Sequence, residues 1–241
     1  MSVPVFLADR LEFGKSEIVL GGPEGRHAAT VRRLRPPERV DLTDGRGAVA
    51  ECVVTEQLKD ALRLEVLRSY ELPPPAPRLI VVQGLPKGER GELAVEMMTE
   101  AGVDVIVPWA AKRSITQWKG ERAAKSLARW RATAREAGKQ ARRFHLPEVT
   151  EQASTAQVAE LLAKAALGVV LHEAAEVRLS RIDLPAEGDI VLVVGPEGGI
   201  ADEELDRFAA AVPALLGPTV LRTSTAGVAA ASVLLARTGR W

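Results

Sequence analysis

The stretch IVLVVGPEGGIADEELDRF, residues 190–208, decides the fold. It opens with an apolar, β-branched run, Ile190 to Val194, of the kind that fills a strand buried on both faces. The run ends in Gly195-Pro196-Glu197-Gly198-Gly199, a turn whose glycines leave backbone amides open to a ligand. Asp202, Glu203 and Glu204 then stand in the first turn of a helix, where the macrodipole favours acids. Downstream, Ala214-Leu215-Leu216 leads to a second glycine-proline turn at Gly217-Pro218. Thr219-Val220-Leu221, the polar cluster Arg222-Thr223-Ser224-Thr225 and an alanine-rich final helix complete the region. Two backbone-exposing turns at the ends of two buried strands predict a ligand crevice of the α/β kind.

The chain of 241 residues, 46% of them hydrophobic, can bury a core in one or two domains. No apolar run approaches membrane-spanning length, and Asp9 and Glu12 interrupt the short apolar patch at the N-terminus, so neither signal peptide nor anchor is expected. The single cysteine, Cys52, excludes an internal disulfide framework and a cysteine metal cage, and no metal is expected. A cytoplasmic protein follows from these features. Net charge is zero, but its distribution is not even. Residues 76–147 hold 14 basic and 7 acidic side chains, whereas 148–241 hold 7 and 13. Between Lys112 and Arg143 stand 11 basic residues against only Glu121 and Glu136, which makes a local positive field that the average conceals.

Residues 1–72 read as a small β-rich module. Arg39 to Thr43, Ala48 to Val54 and Leu62 to Leu67 alternate apolar and polar residues, and Asp44-Gly45 with Gly47 marks a hairpin between the first two. A helix-like segment, Gly25 to Arg35, carries Arg32, Arg33 and Arg35, either a solvated face or a phosphate contact surface. Residues 73–77 hold four prolines in five positions and form a stiff boundary. From 78 to 241, strands alternate with helices: Arg78 to Leu85, a helix over Glu92 to Ala101 with Leu93, Met97 and Ala101 inward, and Val103 to Pro108. A helix follows over 121–143 with Leu127, Trp130, Ala134 and Ala137 on its apolar stripe, then one over 156–167 and a strand over Leu167 to Leu171. With 190–194 and the run ending near Leu216, these elements predict a parallel sheet of about five strands with helices on both sides. Trp109 and Trp118 flank the basic loop and are candidates to stack on a base, while Trp130 is expected in the core.

Gly195-Pro196-Glu197-Gly198-Gly199 followed by Asp202-Glu203-Glu204, Leu216-Gly217-Pro218, Leu221-Arg222-Thr223 and Thr225-Ala226 closely resembles the RsmE family of SPOUT-class methyltransferases, which methylate uridine N3 in 16S ribosomal RNA. The resemblance covers nearly the whole chain. Leu34-Arg35 with Asp44 to Gly47 resembles the family's N-terminal PUA-like β-barrel, and Lys87-Gly88, Glu100 to Val103, Lys112-Arg113-Ser114 and Gln140 to Pro147 resemble its remaining motifs. The resemblance implies a trefoil-knotted α/β domain, a homodimer, the small ribosomal subunit as partner, and S-adenosylmethionine (SAM) as cofactor. By match to the family's three loops it assigns SAM contacts to Leu171, His172 and Glu173; to Gly195, Pro196, Glu197, Gly198, Gly199 and Ile200; and to Leu216, Gly217, Leu221, Arg222, Thr223 and Ala226. RNA contacts are expected from Arg32, Arg33, Arg35, Lys87, Lys112, Arg113, Lys139, Arg142 and Arg143. Two departures stand out: Ser224 replaces the acid common in the family, and Ala201 replaces a helix-capping serine, a role left to Asp202.

Uridine N3 becomes nucleophilic only as its proton leaves. A cation near the uracil oxygens and a carboxylate nearby would serve that step. Arg222 is the expected cation, or else a loop ion pair. Glu197 is the expected proton acceptor or partner of the SAM amine, or else a loop-bracing acceptor. His172 and Glu173 are either acid–base groups or walls of the crevice. Methylation of a pyrimidine C5 calls for a cysteine nucleophile, and Cys52 lies in the N-terminal module, so a nitrogen or ribose oxygen acceptor is expected. An acceptor in tRNA or a ribose 2′-OH, or a non-catalytic ribosome-binding relic, are the alternatives.

Overall fold

The computed structural model describes residues 3–8 and 15–241; Asp9 and Glu12, invoked for the N-terminal patch, lie outside them. Its contacts divide the chain into two compact units, residues 1–74 with 138–146, and residues 75–137 with 147–241.

The first unit is a five-stranded sheet, β1 (Val5–Leu7), β2 (Glu17–Leu20), β3 (Arg39–Thr43), β4 (Ala48–Leu58) and β5 (Ala61–Glu71), in the order β1-β3-β4-β5-β2. Only β1 and β3 run parallel. Alternation puts Val40, Leu42, Ala50, Cys52, Leu62 and Leu64 in one core with Phe6 and Leu34. The β3–β4 hairpin falls at the predicted place: Asp44 Oδ1 accepts from Arg46 N and Ala48 N, and Gly45 and Gly47 take φ of +76° and +110°. The expected helical segment is two pieces, α1 (Gly22–Arg26) and a π-helical turn (His27–Val31), after which Arg33 adopts φ of +54°. Arg32, Arg33 and Arg35 are exposed while Leu34 between them is buried.

Residues 138–146 belong to this unit. Gly47 N donates to Phe144 O, and Leu146 N to Gly45 O. Lys139, expected on an RNA-binding face, is instead buried: its Nζ lies 2.9 Å from the buried Glu24 carboxylate, which also accepts from Leu7 N. A charge removed from water needs such a partner, and here the partner is an acid inside the unit rather than a phosphate outside it.

The second unit carries a parallel six-stranded sheet in the order β11-β9-β10-β6-β7-β8. Its strands are β6 (Arg78–Gly84), β7 (Val105–Trp109), β8 (Glu148–Val149), β9 (Leu167–Leu171), β10 (Asp189–Val194) and β11 (Val212–Ala214). The strand missing from the sequence-based expectation is β8, whose two residues are too short to register as a pattern. The continuous apolar runs behave as expected of strands covered on both sides. Leu79, Val81, Ile190, Leu192 and Val194 feed one core, and their neighbours Ile80, Val82, Val191 and Val193 feed the other.

The helices are α2 (Arg90–Ala101), α3 (Glu121–Gln140), α4 (Thr155–Lys164), α5 (Asp202–Arg207) and α6 (Thr223–Arg237). Helix α2 turns a different stripe inward from the one expected. Ala94, Val95, Met98 and Ala101 are buried and Leu93 is exposed, with Met98 seated against Gly227 of α6. A Cβ on Gly227 of α6 would come within 2.9 Å of Met98 Sδ. On α3 the stripe Leu127, Trp130, Ala134 and Ala137 is buried as expected, but the helix stops at Gln140, before Arg142 takes φ of +54°. Helix α4 is closed by a capping box between Ser154 and Gln157. The C-terminal Arg240 forks onto Asp104 and also donates to Pro77 O and Gly102 O, which fastens α6 to the loop before β7.

Two outcomes follow. Lys139→Ala leaves the Glu24 carboxylate buried without its cation and is expected to lower unfolding stability by about 3 kcal/mol, with the double change to Glu24→Gln and Lys139→Met recovering part of it, as guanidinium denaturation would show. Burial pushes the Cys52 thiol up from 9.0 to about 12. The unfolded chain releases this proton near 9 while the folded chain holds it, so stability falls as pH climbs through that window. Near neutral pH Cys52 is expected to resist a disulfide reagent such as DTNB in the folded protein and to react stoichiometrically in denaturant.

Candidate active site

The C-terminal ends of three adjacent strands open into a cavity of about 430 Å³, in the size range of small-molecule sites. Strand β9 delivers Leu171, His172 and Glu173, and β10 delivers Val194 and the turn Gly195 to Ile200. Strand β11 delivers Ala214 and the loop from Leu215 to Leu221, and the first turn of α6 adds Thr223 and Ala226. The strand order reverses beside β10: chain progression runs outward from β6 to β8 on one side, then returns to place β9 and β11 on the other. Crevices of open α/β sheets form at such a reversal.

The β10 turn is held from outside. Gly199, at φ of +73°, donates its N–H to Pro196 O. Pro196 packs on Gly84 at the end of β6, where a Cβ would lie 2.7 Å from Pro196 N. A Cβ on Gly198 would lie 2.8 Å from Arg113 O, so the loop after β7 passes directly against this turn. Arg113 also donates from Nη1 to Ile200 O at 3.2 Å, and it lines the cavity. Glu197 is exposed and its Oε1 accepts from Lys87 N.

A buried carboxylate ties these segments together. Glu204, in the first turn of α5, accepts from Lys112 N at 2.9 Å, from the Thr155 hydroxyl at 2.8 Å and from Ala201 N at 3.2 Å. Thr155 in turn accepts from Trp109 Nε1. Glu204 thus reaches back three residues to the N-cap amide, the one half of a capping box that an N-cap without a hydroxyl still allows, while the Glu204 amide donates to Ala201 O.

Of the residues expected to hold a cofactor, all but Arg222 line this one cavity. Arg222 stands at the N-cap of α6 with an exposed side chain, and its carbonyl accepts from Thr225 N and Ala226 N. Arg113, expected only as an RNA contact, was missed as a wall of the cavity. Nothing in linear spacing links residue 113 to residues 198–200; only Gly198, a glycine beyond those the turn needs, hinted at a close approach. Ser224 is 1% exposed on the buried face of α6 and does not line the cavity. His172 Nδ1 accepts from Ala174 N, which places the neutral ring's proton on Nε2.

The tryptophans proposed as stacking surfaces are core instead. Trp109 is fully buried edge-on to Phe208, and Trp118 packs at 83° against Trp130 with ring centres 5.0 Å apart. Lys87 and Lys112 are exposed, the latter paired with the exposed Glu203. Arg142 is exposed and Arg143 half-buried in the first unit. Among the described residues no cluster of three His, Cys, Asp or Glu side chains gathers as a metal site would.

A family model for an RNA methyltransferase domain matches residues 73–235, and one for an RNA methyltransferase PUA domain matches residues 20–67. A ribosomal RNA small subunit methyltransferase E of Mycobacterium tuberculosis is 46% identical over all of this chain and 94% of its own length. The chain belongs to the ribosomal RNA small subunit methyltransferase E family. The methyltransferase E of Bacillus subtilis is 29% identical over 88% of this chain and 87% of its own. In structure, the methyltransferase E of Neisseria gonorrhoeae, solved with S-adenosylmethionine bound, superposes with a TM-score of 0.85 at 27% identity over 98% of both chains. A methyltransferase of Legionella pneumophila, also solved with SAM, gives the same TM-score, identity and coverage. The chain combines an α/β unit built on a parallel sheet with a PUA domain. No helix among the described residues is long and apolar enough to cross a membrane.

Glu204→Ala strips three donors of their acceptor and is expected to lower stability by about 3 kcal/mol. Glu204→Gln, which keeps one acceptor oxygen, should cost less, and chemical denaturation distinguishes the two.

Proposed function

We propose that this protein methylates uridine N3 in the 16S RNA of the small ribosomal subunit, with SAM as donor. The observation that carries this reading is the cavity at the ends of β9, β10 and β11, placed in a chain that matches SAM-bound relatives over 98% of its length. The residues fit the donor. Glycines keep the β10 turn free of side chains, and Glu173 and Glu197 offer carboxylates to a ligand bearing an ammonium and a sulfonium. His172 Nε2 and the open backbone amides of the glycine turn offer donors to hydroxyls and a carboxylate. When bound, SAM supplies an electrophilic methyl group on a positively charged sulfur.

The chain's own residues then orient and deprotonate the base. Glu197 keeps one oxygen on Lys87 N, which leaves the other to accept the N3 proton or hold an amine. Arg222, exposed one residue from both Leu221 and Thr223 of the cavity wall, suits a phosphate of the incoming RNA better than the base within. Arg32, Arg33 and Arg35, with Lys87, Lys112, Arg142 and Arg143, are assigned to the RNA backbone, where cations give affinity without sequence choice. The domain limits at 72 and 78, the closed PUA-like barrel, a trefoil knot through the β10 and β11 loops, a homodimer and a cytoplasmic location belong to the same proposal.

Calorimetric titration with SAM, followed by mapping of methylated 16S RNA by primer extension, tests it. N3 methylation blocks pairing of the base and stops extension. Wild-type protein is expected to bind SAM and to produce one such stop; Gly198→Val, whose side chain would collide with Arg113 O, should lose binding by at least tenfold while remaining folded. A methylated ribose or tRNA without a stop in 16S RNA would move the acceptor elsewhere. Absence of SAM binding in the presence and absence of ribosomal subunits would leave a non-catalytic relic.

A further inference from the structure

We infer that Arg113 is the cation that meets the target base and stabilises the charge that develops on its oxygens as N3 loses its proton. The inference rests on the methyl-transfer reading above and adds to it a catalytic residue that does not come from the strand-end loops. Four observations carry it. Among the described residues Arg113 is the one arginine or lysine that lines the cavity, whereas Arg222 is not a lining residue. Its placement is enforced at three points: its carbonyl is packed against Gly198, Nη1 donates to Ile200 O, and the preceding amide, Lys112 N, is anchored on the buried Glu204. One of its five N–H donors is used on Ile200 O, and no carboxylate among the described residues is in ion-pair distance. Finally, Arg113 is an exposed residue as well as a lining one, so a base arriving from solvent can reach it.

The charged groups around it leave that role open. On α5, Glu203 is engaged with Lys112, whose ion pair holds its carboxyl below the usual range with Arg113 and Arg207 assisting. On the cavity loops stand Glu197, braced by Lys87 N, and His172 with Glu173. A fork of unused N–H donors that lines the same cavity as the carboxylates of Glu173 and Glu197 is the arrangement that an ionising imide needs. The uracil N3–H gives its proton to a base, the negative charge spreads onto the ring oxygens facing the guanidinium, and the N3 lone pair forms the N–CH₃ bond. The pair of the broken C–S bond stays on sulfur, so atoms and electrons balance without a further reactant. Donors aimed at charge that appears only in the transition state lower the barrier without tightening the ground state.

The test compares wild type, Arg113→Lys and Arg113→Ala under single-turnover conditions with 16S RNA in small subunits, after thermal melting has shown that all three fold. Activity of the wild type on uridine N3 is checked first; if it is absent, the function is wrong and the role of Arg113 is not what failed. The expected result is a fall in the methylation rate of about 100-fold for Arg113→Ala and a smaller fall for Arg113→Lys, which keeps the charge but not the fork. SAM affinity by calorimetry and RNA affinity by filter binding should change less than threefold. The rate–pH profile of Arg113→Ala should rise at higher pH than that of wild type, and added guanidinium ion should restore part of the rate. A loss of SAM affinity instead would place Arg113 on the donor's carboxylate, and a loss of RNA affinity at unchanged rate would place it on a phosphate. Either result overturns the inference.

Discussion

The Glu204 carboxylate is the interaction on which the site depends. It lies buried at the start of α5 and collects donors from three separate stretches: the loop after β7, the first turn of α4 and the N-cap of α5. A carboxylate removed from water is stable only when its oxygens are filled, and here they are filled by the backbone and hydroxyl groups whose positions matter. The β10 turn runs from Gly195 to Ile200, immediately before Ala201, and Arg113 follows Lys112 directly. One acid thus sets the distance between the glycine turn and the arginine that crosses it. An apolar residue at position 204 would leave three donors without partners and the two loops free to drift apart.

Much of this was legible in the sequence because strands buried on both faces write themselves as continuous apolar runs. Ile190 to Val194, Leu79 to Val82 and Val105 to Val107 needed no tertiary information. The cavity loops were legible for a different reason: glycine and proline mark turns by backbone geometry, and residues 195–200 and 216–221 announced themselves in that way. What escaped the sequence depended on partners far along the chain. Lys139 looks like one more cation on a basic helix until Glu24, 115 residues away, is placed beside it. Trp109 and Trp118 look available until Phe208 and Trp130 pack against them. The inward face of α2 is set one residue along from the Leu93–Met97 stripe: α6 approaches through Gly227, whose missing side chain leaves room for the buried Met98, and that depends on a residue 129 positions away.

The same distinction explains how two departures from the family pattern are accommodated. Ala201 lacks a capping hydroxyl; the Glu204 amide donates to Ala201 O instead, and the Glu204 carboxylate accepts from the Ala201 amide from the third position of the helix. Ser224, the other departure that the resemblance singled out, is buried on α6 and does not line the cavity. A neutral hydroxyl residue buried there carries no cost of desolvating a charge.

The order of strands in the second unit carries a consequence for synthesis. Strand β6 has β7 on one side, made shortly after it, but on the other side it pairs with β10, and the ion pair between Arg78 and Asp189 joins residues 111 apart. At a ribosomal pace of about 5 to 20 residues per second, the apolar edge of β6 waits about 5 to 20 s for the strand that covers it. During that interval the nascent chain presents Leu79 to Val82 as an unpaired strand edge, the kind of surface on which chaperones act and aggregates start. The element that ends this exposure is the strand that leads into the glycine turn, so covering the β6 edge and delivering the first glycine turn of the cavity fall to the same late strand.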